Sequence, residues 1–348
     1  MKHLIEHLES LAESKEFNVR GKHIFDKAFV GFRAVVKDNA VVKDRAYVHD
    51  SVVVKDRAVV KGRASLRNSA VVKDNATVTA NVGGKAVVEG NAYVEGRATV
   101  RNKAVVGGNA FVGDNAVVKD NAVVKGKASV SDNAVVEDNA VVEGEANVFD
   151  KASVMGSARV GGKAGVSGSA VVKDNAVVQG GVEDNARVEG NAIVTARVSD
   201  NAVVKDKARV LNDAWVLGDA IVSENAVVRD KASVSRDASV GDDARVEDNA
   251  KVGENAIVGS NAHVKDKARV GGKSWLTENA TVEGNAYVEG DARVGGNARV
   301  GGNAWVKGKA WISGEAIITG GTWDGEEGQV TEGEWGSPEE YLAWKNSQ

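Results

Sequence analysis

The sequence contains no cysteine and a single proline among its 348 residues. Without cysteine, neither disulfide bonds nor cysteine-ligated zinc can stabilise the fold. Aromatic residues make up only 5% of the chain, which leaves too few large side chains for a conventional globular core. No apolar run reaches the length that a membrane-spanning helix needs. The chain must therefore bury many small apolar side chains in a narrow interior.

An excess of charge of one sign is also lacking. The chain has 45 basic and 49 acidic residues, finely mixed along its length, for a net charge of −4. Surfaces that bind nucleic acid or anionic membranes concentrate lysine and arginine, so we expect neither partner. The first residues, MKHLIEHLESLAESKEF, carry acidic groups and no continuous apolar core. They do not resemble a signal peptide, which favours a cytoplasmic location.

The chain is rich in one six-residue repeat. Residues 115–128 read NAVVKDNAVVKGKA, and the same period continues from about residue 22 to about residue 321. Alternate side chains of a strand face opposite ways. The alanine and the second valine of each unit are therefore predicted to point inward, and the residue between them outward. Such repeats stack on one another into a single body.

The last three positions of each unit predict a corner. Its middle residue is usually Asp, Gly or Asn, as in Asp38, Asp44, Gly62 and Gly90. These residues tolerate the positive φ that a sharp corner requires. Each unit is then a short strand followed by a turn. Because such a strand cannot bury its apolar face alone, the units must coil and stack.

Aromatic residues at the outward position recur every eighteen residues. If three units make one coil, these side chains stack in ladders with a step of about 4.8 Å. About fifty units then form about seventeen coils. The series with this spacing are Phe29 and Tyr47, Tyr93 and Phe111, and Tyr287, Trp305 and Trp323, while Trp275 and Trp311 are separated by twice the spacing.

The pattern resembles the hexapeptide-repeat family of left-handed parallel β-helices, in which an inward aliphatic residue is followed four positions later by a small one. Val118 with Ala122 and Val124 with Ala128 match that rule. The resemblance implies an all-β, single-stranded left-handed parallel β-helix. The hand comes from the family alone, because the general rule for crossovers favours the right hand. Uncharacterised bacterial and phage members are often labelled transferase-like, a label that follows the fold and not a demonstrated reaction.

Non-repeating segments flank the repeats and divide the chain into three regions. Residues 1–21 have the apolar spacing of an amphipathic helix, which would cap the first coil or self-associate. Residues 22–321 form the β-helix. Residues 322–348 are acidic, with Asp324 in an inward position, and end in a predicted capping helix that follows Ser337.

The six-residue frame slips at three places, where successive inward valines are four residues apart. Each slip removes two residues, which preserves the alternation between inward and outward side chains. A slip is either a tightened corner or a notch or bend shaped for a partner. The affected pairs are Val78 and Val82, Val178 and Val182, and Val194 and Val198.

Residues for catalysis are scarce. The acyltransferases of the family that the sequence resembles use a histidine at a subunit interface and a loop that binds the acyl donor. No loop interrupts these repeats, and only His49 and His263 lie at outward repeat positions. They are the candidate catalytic residues of a reduced site. Because they are far apart in sequence and isolated from other histidines, we expect no zinc trio, no other metal site and no cofactor.

Outward aromatic residues are the best candidates for binding, since Trp and Tyr are common anchors of interfaces. The alternative is that the C-terminal segment folds back and buries them. A smaller apolar patch would serve association with another chain. The main candidates are Trp275, Tyr287, Trp305, Trp311 and Trp323, and the smaller patch contains Leu211, Trp215 and Leu217.

A regular surface without an assembled acid–base, nucleophile or metal set favours a non-enzymatic scaffold. It would bind a protein partner or associate with itself as a dimer or trimer, aided by ladders of outward valines such as Val105, Val123 and Val141. Two alternatives stay open. One is an acyltransferase-like enzyme around His49 or His263, and the other is a binder of carbohydrates or small molecules that uses the C-terminal Trp and Tyr residues.

Overall fold

The computed structural model describes residues 23–348, so the predicted N-terminal helix lies outside the described residues. The chain divides into two compact units, Met1–Lys163 and Ala164–Gln348. Each unit is a parallel β-solenoid with three parallel sheets, and together the units contain about 17 turns. One short α-helix, α1, spans Pro338–Lys345 near the C-terminus.

The N-terminal unit has three sheets of two-residue strands, named here A1, B1 and C1. Sheet A1 contains Val41–Val42, Val59–Val60, Thr77–Val78, Tyr93–Val94, Phe111–Val112, Ser129–Val130 and Asn147–Val148. Sheet B1 contains Phe29–Val30, Tyr47–Val48, Ser65–Leu66, Asn81–Val82, Thr99–Val100, Val117–Val118, Val135–Val136 and Ser153–Val154. Sheet C1 contains Val35–Val36, Val53–Val54, Val71–Val72, Val87–Val88, Val105–Val106, Val123–Val124, Val141–Val142 and Arg159–Val160.

The C-terminal unit has the corresponding sheets A2, B2 and C2. Sheet A2 contains Gly165–Val166, Gly181–Val182, Arg197–Val198, Trp215–Val216, Ser233–Val234, Lys251–Val252, Arg269–Val270, Tyr287–Val288, Trp305–Val306 and Thr322–Trp323. Sheet B2 contains Val171–Val172, Arg187–Val188, Val203–Val204, Ile221–Val222, Ser239–Val240, Ile257–Val258, Trp275–Leu276, Arg293–Val294, Trp311–Ile312 and Gln329–Val330. Sheet C2 contains Val177–Val178, Ile193–Val194, Arg209–Val210, Val227–Val228, Arg245–Val246, His263–Val264, Thr281–Val282, Arg299–Val300, Ile317–Ile318 and Glu334–Trp335.

Neighbouring strands of each sheet are parallel and in register. Val117 pairs with Val135, and its N–H donates to the carbonyl of Ala134 at 2.9 Å. The outward side chains therefore stack in columns with a step of about 4.8 Å. Phe29 pairs with Tyr47, and their rings stack with centroids 4.9 Å apart. The predicted aromatic ladders at eighteen-residue spacing are confirmed for this pair.

The interior is lined by alanine and valine, as the repeat predicted. Ala116, Val118 and Ala122 are completely buried, while the outward Val117 is half-buried. Burying a valine side chain stabilises a fold by about 1.5–3 kcal/mol, and the repeat supplies one such residue for every strand. Small alanines next to the corners let the backbone turn within a narrow interior.

The corners take the backbone conformation that their middle residues predicted. Asp120 has a φ of 62° and Gly126 a φ of 76°. The aspartates also provide an acceptor for the neighbouring turn: the N–H of Gly62 donates to Asp44 Oδ2 at 2.7 Å. An aspartate therefore tolerates the turn and satisfies a backbone N–H one turn away, whereas glycine does only the former.

The third corner position often carries a ladder of asparagine amides. Asn75 Nδ2 donates to Asn91 Oδ1 at 2.9 Å, and Asn91 Nδ2 donates to Asn109 Oδ1 at 2.9 Å. Stacked amides of this kind bond to one another because the sheet holds them in parallel register. The preference for asparagine at this position thus follows from the stacking of turns and not from the turn itself.

The three frame slips are tightened corners. After the first, Asn81 still pairs with Ser65, now with an offset of sixteen residues. The corner residues Ala80 and Ala196 turn inward and are only 3% and 6% exposed. At the second slip, a Cβ on Gly180 would lie 1.9 Å from the carbonyl oxygen of Ala196. A side chain is therefore excluded at Gly180, although alanine occupies the equivalent position at the other two slips.

Helix α1 begins as its sequence predicted. Ser337 is the N-cap and accepts a hydrogen bond from the N–H of Glu340 at 3.4 Å, with proline in the first turn. Tyr341 is buried against Trp323 and donates its hydroxyl to the carbonyl of Gln329 at 3.0 Å. The helix thus covers the last turn, although Leu342 remains 37% exposed.

Replacing Gly180 by alanine is expected to lower the free energy of unfolding by about 1–3 kcal/mol, because the new methyl group meets backbone that can move only if the corner opens. Gly165→Ala is the matched control in the same unit. A Cβ there meets nothing within 4 Å, and alanine is the better residue in a strand. Denaturant unfolding of both variants measures the difference, and equal stability would contradict the geometry of this corner.

Acid is expected to destabilise the protein below about pH 4. The N–H of Asp74 that bonds to Asp56, and the N–H of Ser260 that bonds to Asp242, hold the pKa of each carboxyl below its ordinary value of 3.8. A carboxyl with a lowered folded pKa adds stability that is complete above its unfolded pKa and is lost as the pH falls through the folded pKa.

Thermal unfolding midpoints measured between about pH 7 and pH 2 test this expectation. Asp56→Asn retains an oxygen acceptor without a titrating group, so its midpoint should fall less steeply than that of the parent protein. An unfolding midpoint that stays constant through the acid range would show that the corner hydrogen bonds contribute nothing to stability.

Candidate binding surface

The predicted aromatic cluster is divided between two faces of the C-terminal unit. Trp275 and Trp311 lie on sheet B2, where Arg293 pairs with both and stands between them. Tyr287 and Trp305 lie on sheet A2, and their rings stack with centroids 6.2 Å apart. Residues that are close in sequence thus fall on different faces, because in this part of the repeat an eighteen-residue offset separates two outward side chains of one column.

The prediction that Trp323 projects outward is wrong. The corner before it, ending at Gly321, is one residue short, so Trp305 pairs with Thr322 instead of Trp323. A shift of one residue reverses the inward and outward faces of a strand. Trp323 is therefore completely buried, and its indole N–H donates to the carbonyl of Gly320 at 2.8 Å. For the same reason Asp324, predicted to point inward, is exposed.

Trp275 and Trp311 differ from the other exposed tryptophans, Trp215 and Trp305, because no ring or cationic side chain of the described residues lies against their rings. They are 49% and 45% exposed. Among residues 23–348, no side chain stacks on either ring or accepts its indole N–H, and Arg293 between them forms no ion pair. Two shallow hollows of about 450 and 500 Å³ lie on the two sides of Arg293. The surface therefore offers two large apolar groups and one unpaired guanidinium to a ligand.

Trp305 and Tyr287 are occupied by contacts within the chain. The indole N–H of Trp305 donates to Glu289 Oε1 at 2.8 Å, and Lys307 Nζ lies 4.7 Å from the centre of its ring. Burial raises the pKa of the Tyr287 phenol, and Glu289 beside it raises the pKa further. The ring faces and the indole N–H of this pair are therefore already in contact within the chain, so the pair is less available to a partner.

The smaller predicted patch is present but interrupted. Trp215 is 46% exposed on sheet A2, and Arg197 lies over its ring at 5.4 Å in a cation–π contact. Leu211 and Leu217 are half-buried at the corners on either side of that strand. The charged neighbour makes this patch more polar than the sequence indicated.

The outward column of sheet B2 has a symmetry that sequence reasoning missed. From Ile221 to Trp311 it reads apolar, polar, apolar, apolar, polar, apolar, and the order is the same in both directions. The four apolar side chains are each 39–49% exposed. Reading the sequence at eighteen-residue intervals would have revealed the pattern. This part of the column consists of Ile221, Ser239, Ile257, Trp275, Arg293 and Trp311. Val171, Arg187 and Val203 precede it in the sheet, and Gln329 follows it.

The two rims of this column differ in chemistry. The corner that follows each strand carries small residues, which leaves that side of the face flat. The corner that precedes each strand is acidic at one end and mostly basic at the other. The first rim contains Ser223, Gly241, Gly259, Thr277, Gly295 and Ser313, and the second contains Asp219, Asp237, Asn255, Lys273, Asp291 and Lys309.

His263 belongs to a charged cluster on sheet C2. Its Nε2 lies 2.5 Å from Glu247 Oε1, and Arg229 Nε donates to Glu247 Oε2 at 2.7 Å. Burial raises the pKa of the Glu247 carboxyl, but hydrogen bonds and charge from Arg229 and His263 outweigh burial and place the pKa below its ordinary value. Glu247 is therefore a carboxylate held between two basic groups.

Arginine takes the place of His263 in two equivalent clusters. Arg159 Nη2 lies 2.8 Å from Glu143 Oε1, and Arg299 Nη2 lies 2.6 Å from Glu283 Oε1. In each cluster a corner lysine contacts the other carboxylate oxygen. Because an arginine cannot serve as a general base at neutral pH, the shared arrangement supports a structural role for His263.

His49 lies in the N-terminal unit beside an aromatic ladder. Its Nδ1 is 2.6 Å from Asp50 Oδ1, and its ring stacks on Tyr47 with centroids 5.7 Å apart. The carboxylate and the ring account for the position of the imidazole. Within residues 23–348, no three His, Asp or Glu side chains are arranged to hold a metal ion.

Comparisons of the chain with models of known protein families and with curated proteins find no match. In the part of the chain that the structure describes, no helix has both the length and the apolar character needed to cross a membrane. Function must therefore be inferred from the geometry of the described surface.

His263→Arg is expected to unfold at the same temperature as the parent protein, since arginine makes the equivalent contact at Glu143 and Glu283. His263→Ala should lose up to about 1 kcal/mol, the range of a partly exposed ion pair. Thermal unfolding at neutral pH distinguishes the two variants. If arginine destabilises as much as alanine, the three clusters are not equivalent; saturable acetyl-CoA binding lost in both variants would instead favour the acyltransferase.

Proposed function

We propose that this protein is a non-enzymatic scaffold that associates with a second copy of itself through sheet B2. The observation that supports the proposal is the palindromic outward column from Ile221 to Trp311. An exposed row of Ile and Trp on a flat sheet has the composition of an interface core. Monomeric proteins rarely leave several large apolar side chains grouped on one open face.

A two-fold axis between Ile257 and Trp275 makes the column complementary to itself. In an antiparallel face-to-face dimer, Ile257 of one copy meets Trp275 of the other, and Ser239 meets Arg293. Every apolar side chain then faces an apolar one, and each polar position faces a polar one. A two-fold interface requires such self-complementarity.

The polar rim adds one attractive contact to the same arrangement. The antiparallel dimer brings the acidic end of the rim against the basic end, so that Asp219 faces Lys309 and Asn255 faces Lys273. Asp237 and Asp291 form one unfavourable pair, which lies on the same turns as Ser239 and Arg293. Electrostatic complementarity of this kind selects orientation more than it adds affinity.

A second copy also matches the period of the face. The outward side chains repeat at about 4.8 Å per turn along the column, so their ridges interdigitate over several turns only with a surface of equal spacing. A second copy of the chain has that spacing because it has the same repeat. A protein partner of unrelated fold would engage one or two side chains at a time.

A ligand-binding function has support from a different observation. The hollows beside Arg293 are of the size that small ligands occupy, and the open rings of Trp275 and Trp311 could stack on sugar rings. The acyltransferase function has less support, because His263 and Glu247 belong to a repeated ion cluster. A compound that binds beside Arg293 and leaves the sedimenting mass of the protein that of a monomer would favour ligand binding over self-association.

The finer description of the fold accompanies this proposal. We infer three hexapeptides in each coil, a left-handed coil and membership of the hexapeptide-repeat family. The eighteen-residue offset between paired strands, as between Val117 and Val135, supports the first, and the Ala and Val positions support the last. An experimental structure would establish the hand.

Sedimentation velocity tests the dimer. The parent protein is expected to reach twice the chain mass of 36.3 kDa as its concentration rises. Trp275→Ala should weaken association at least about thirtyfold, the effect of losing an anchor worth about 2 kcal/mol. Trp305→Ala on sheet A2 is the control and should not alter association. A persistent monomer, or equal effects of the two variants, would contradict the proposal.

Cysteine pairs test the antiparallel register, because the native chain has no cysteine. A mixture of Ser239→Cys and Arg293→Cys proteins should form heterodimers with a short bismaleimide cross-linker, whereas each protein alone should not. Cross-linking of Ser239→Cys to itself would indicate a parallel dimer instead and would overturn the proposed two-fold axis.

A further inference from the structure

A notch in the N-terminal unit lies beside the first frame slip. Its volume is about 380 Å³, and it opens over Gly83, with Arg67 on the turn before and Arg101 on the turn after. The strand that leads to Gly83 begins at Asn81, immediately after the shortened corner. Ser65, Thr99 and Asn81 add hydroxyl and amide groups to the wall.

Some corner columns contain a contact that this notch lacks. Lys119 at a first corner position contacts Glu137 one turn away, and Lys73 contacts Glu89 at 2.7 Å. In the column of the notch, the residue one turn from both Arg67 and Arg101 is Gly83. No carboxylate side chain therefore stands between the two arginines.

Neither guanidinium group has an acidic partner within the notch, although the pKa of the Asp50 carboxyl is lowered by the N–H of Asn68, by His49 and also by the charge of Arg67. Among residues 23–348 neither Arg67 nor Arg101 forms an ion pair, and Arg67 Nε donates only to Ser65 Oγ at 3.1 Å. Lys85 and Lys103 are exposed on the same corner and add positive charge.

Two carboxylates lie outside the notch, one turn beyond each arginine. Asp50 accepts the N–H of Asn68 at 2.8 Å and contacts His49. Asp120 accepts from Asn102 Nδ2 at 2.6 Å. Both acids are already engaged, and neither lies on the turn that Gly83 occupies.

We propose that the notch over Gly83 binds the phosphate group of a small anionic ligand between Arg67 and Arg101. Guanidinium groups bind tetrahedral oxyanions through paired N–H donors, and two of them face one gap here. Thr99 and Asn81 supply further donors at its edge. The bound anion occupies a place like the one that the glutamate side chain takes beside Lys119 and Lys73.

Isothermal titration of the full chain with pyrophosphate, inorganic phosphate and sulfate at matched ionic strength tests the site. We expect saturable binding of one anion per chain, tightest for pyrophosphate. Arg101→Gln should weaken binding about tenfold or more, the loss expected for one charge-assisted contact. Arg63→Gln removes an exposed arginine from another corner of the same unit and should leave binding unchanged.

Gly83→Glu is the decisive variant, because it supplies the missing carboxylate from the chain itself. A Cβ at Gly83 would meet only Asn68 Oδ1, at the ordinary distance of 3.7 Å, so the variant should fold. It should abolish anion binding and raise the unfolding midpoint above that of Gly83→Ala, which should bind normally.

Three results would overturn the proposal. The first is the absence of saturable binding of any of the three anions to the parent protein. The second is equal loss of binding in Arg63→Gln and Arg101→Gln, which would show nonspecific attraction to positive charge. The third is unchanged binding by Gly83→Glu.

Discussion

The structure depends on the vertical register between successive turns. Each outward and corner residue lies about 4.8 Å from its counterparts on the turns before and after, so a side chain must be compatible with its own column. Backbone bonds such as Val117 N–H to the carbonyl of Ala134 hold that register. Val118 and Ala122 supply the apolar burial that keeps the turns together. The composition of the surface follows from this constraint as much as that of the core does.

Stacking identical polar or charged residues at the corners would be unfavourable unless their hydrogen-bonding groups and charges are paired. The chain pairs them in three ways. Corner aspartates accept a backbone N–H from the next turn, as Asp44 does from Gly62. Asparagine amides bond to one another, and basic residues alternate with glutamates, as in the Lys125, Glu143 and Arg159 cluster. His263 follows the third rule, and this explains why a histidine near a carboxylate here is not by itself evidence of catalysis.

Candidate functional positions are those where a charged or aromatic side chain finds no partner on the neighbouring turns of the chain. Arg67 and Arg101 flank a glycine, and Arg293 separates two tryptophans whose rings no other ring or cationic side chain covers. A side chain left without its expected partner is available to one from outside. The two positions lie in different units and call for different partners, an anion in one case and a second protein surface in the other.

Much of the fold was predictable because the repeat is short and its physical requirements are strict. The period of six, the inward Ala and Val, the positive φ at Asp120 and the stacking of Phe29 on Tyr47 all follow from strand alternation and corner geometry. The cap at Ser337 was readable from local sequence. Trp323 was not, because a corner one residue shorter than the others reverses the face of every residue in its strand.

The sequence by itself determined the strand, the corner and the column in which each regular residue stands, because those depend on the period alone. Only the tertiary structure decided which partners each side chain finds. It put Trp323 in the core and left Gly83 between two arginines. The reason is that contacts across turns join residues sixteen to eighteen positions apart. One shortened corner changes that offset for every strand pair that spans it.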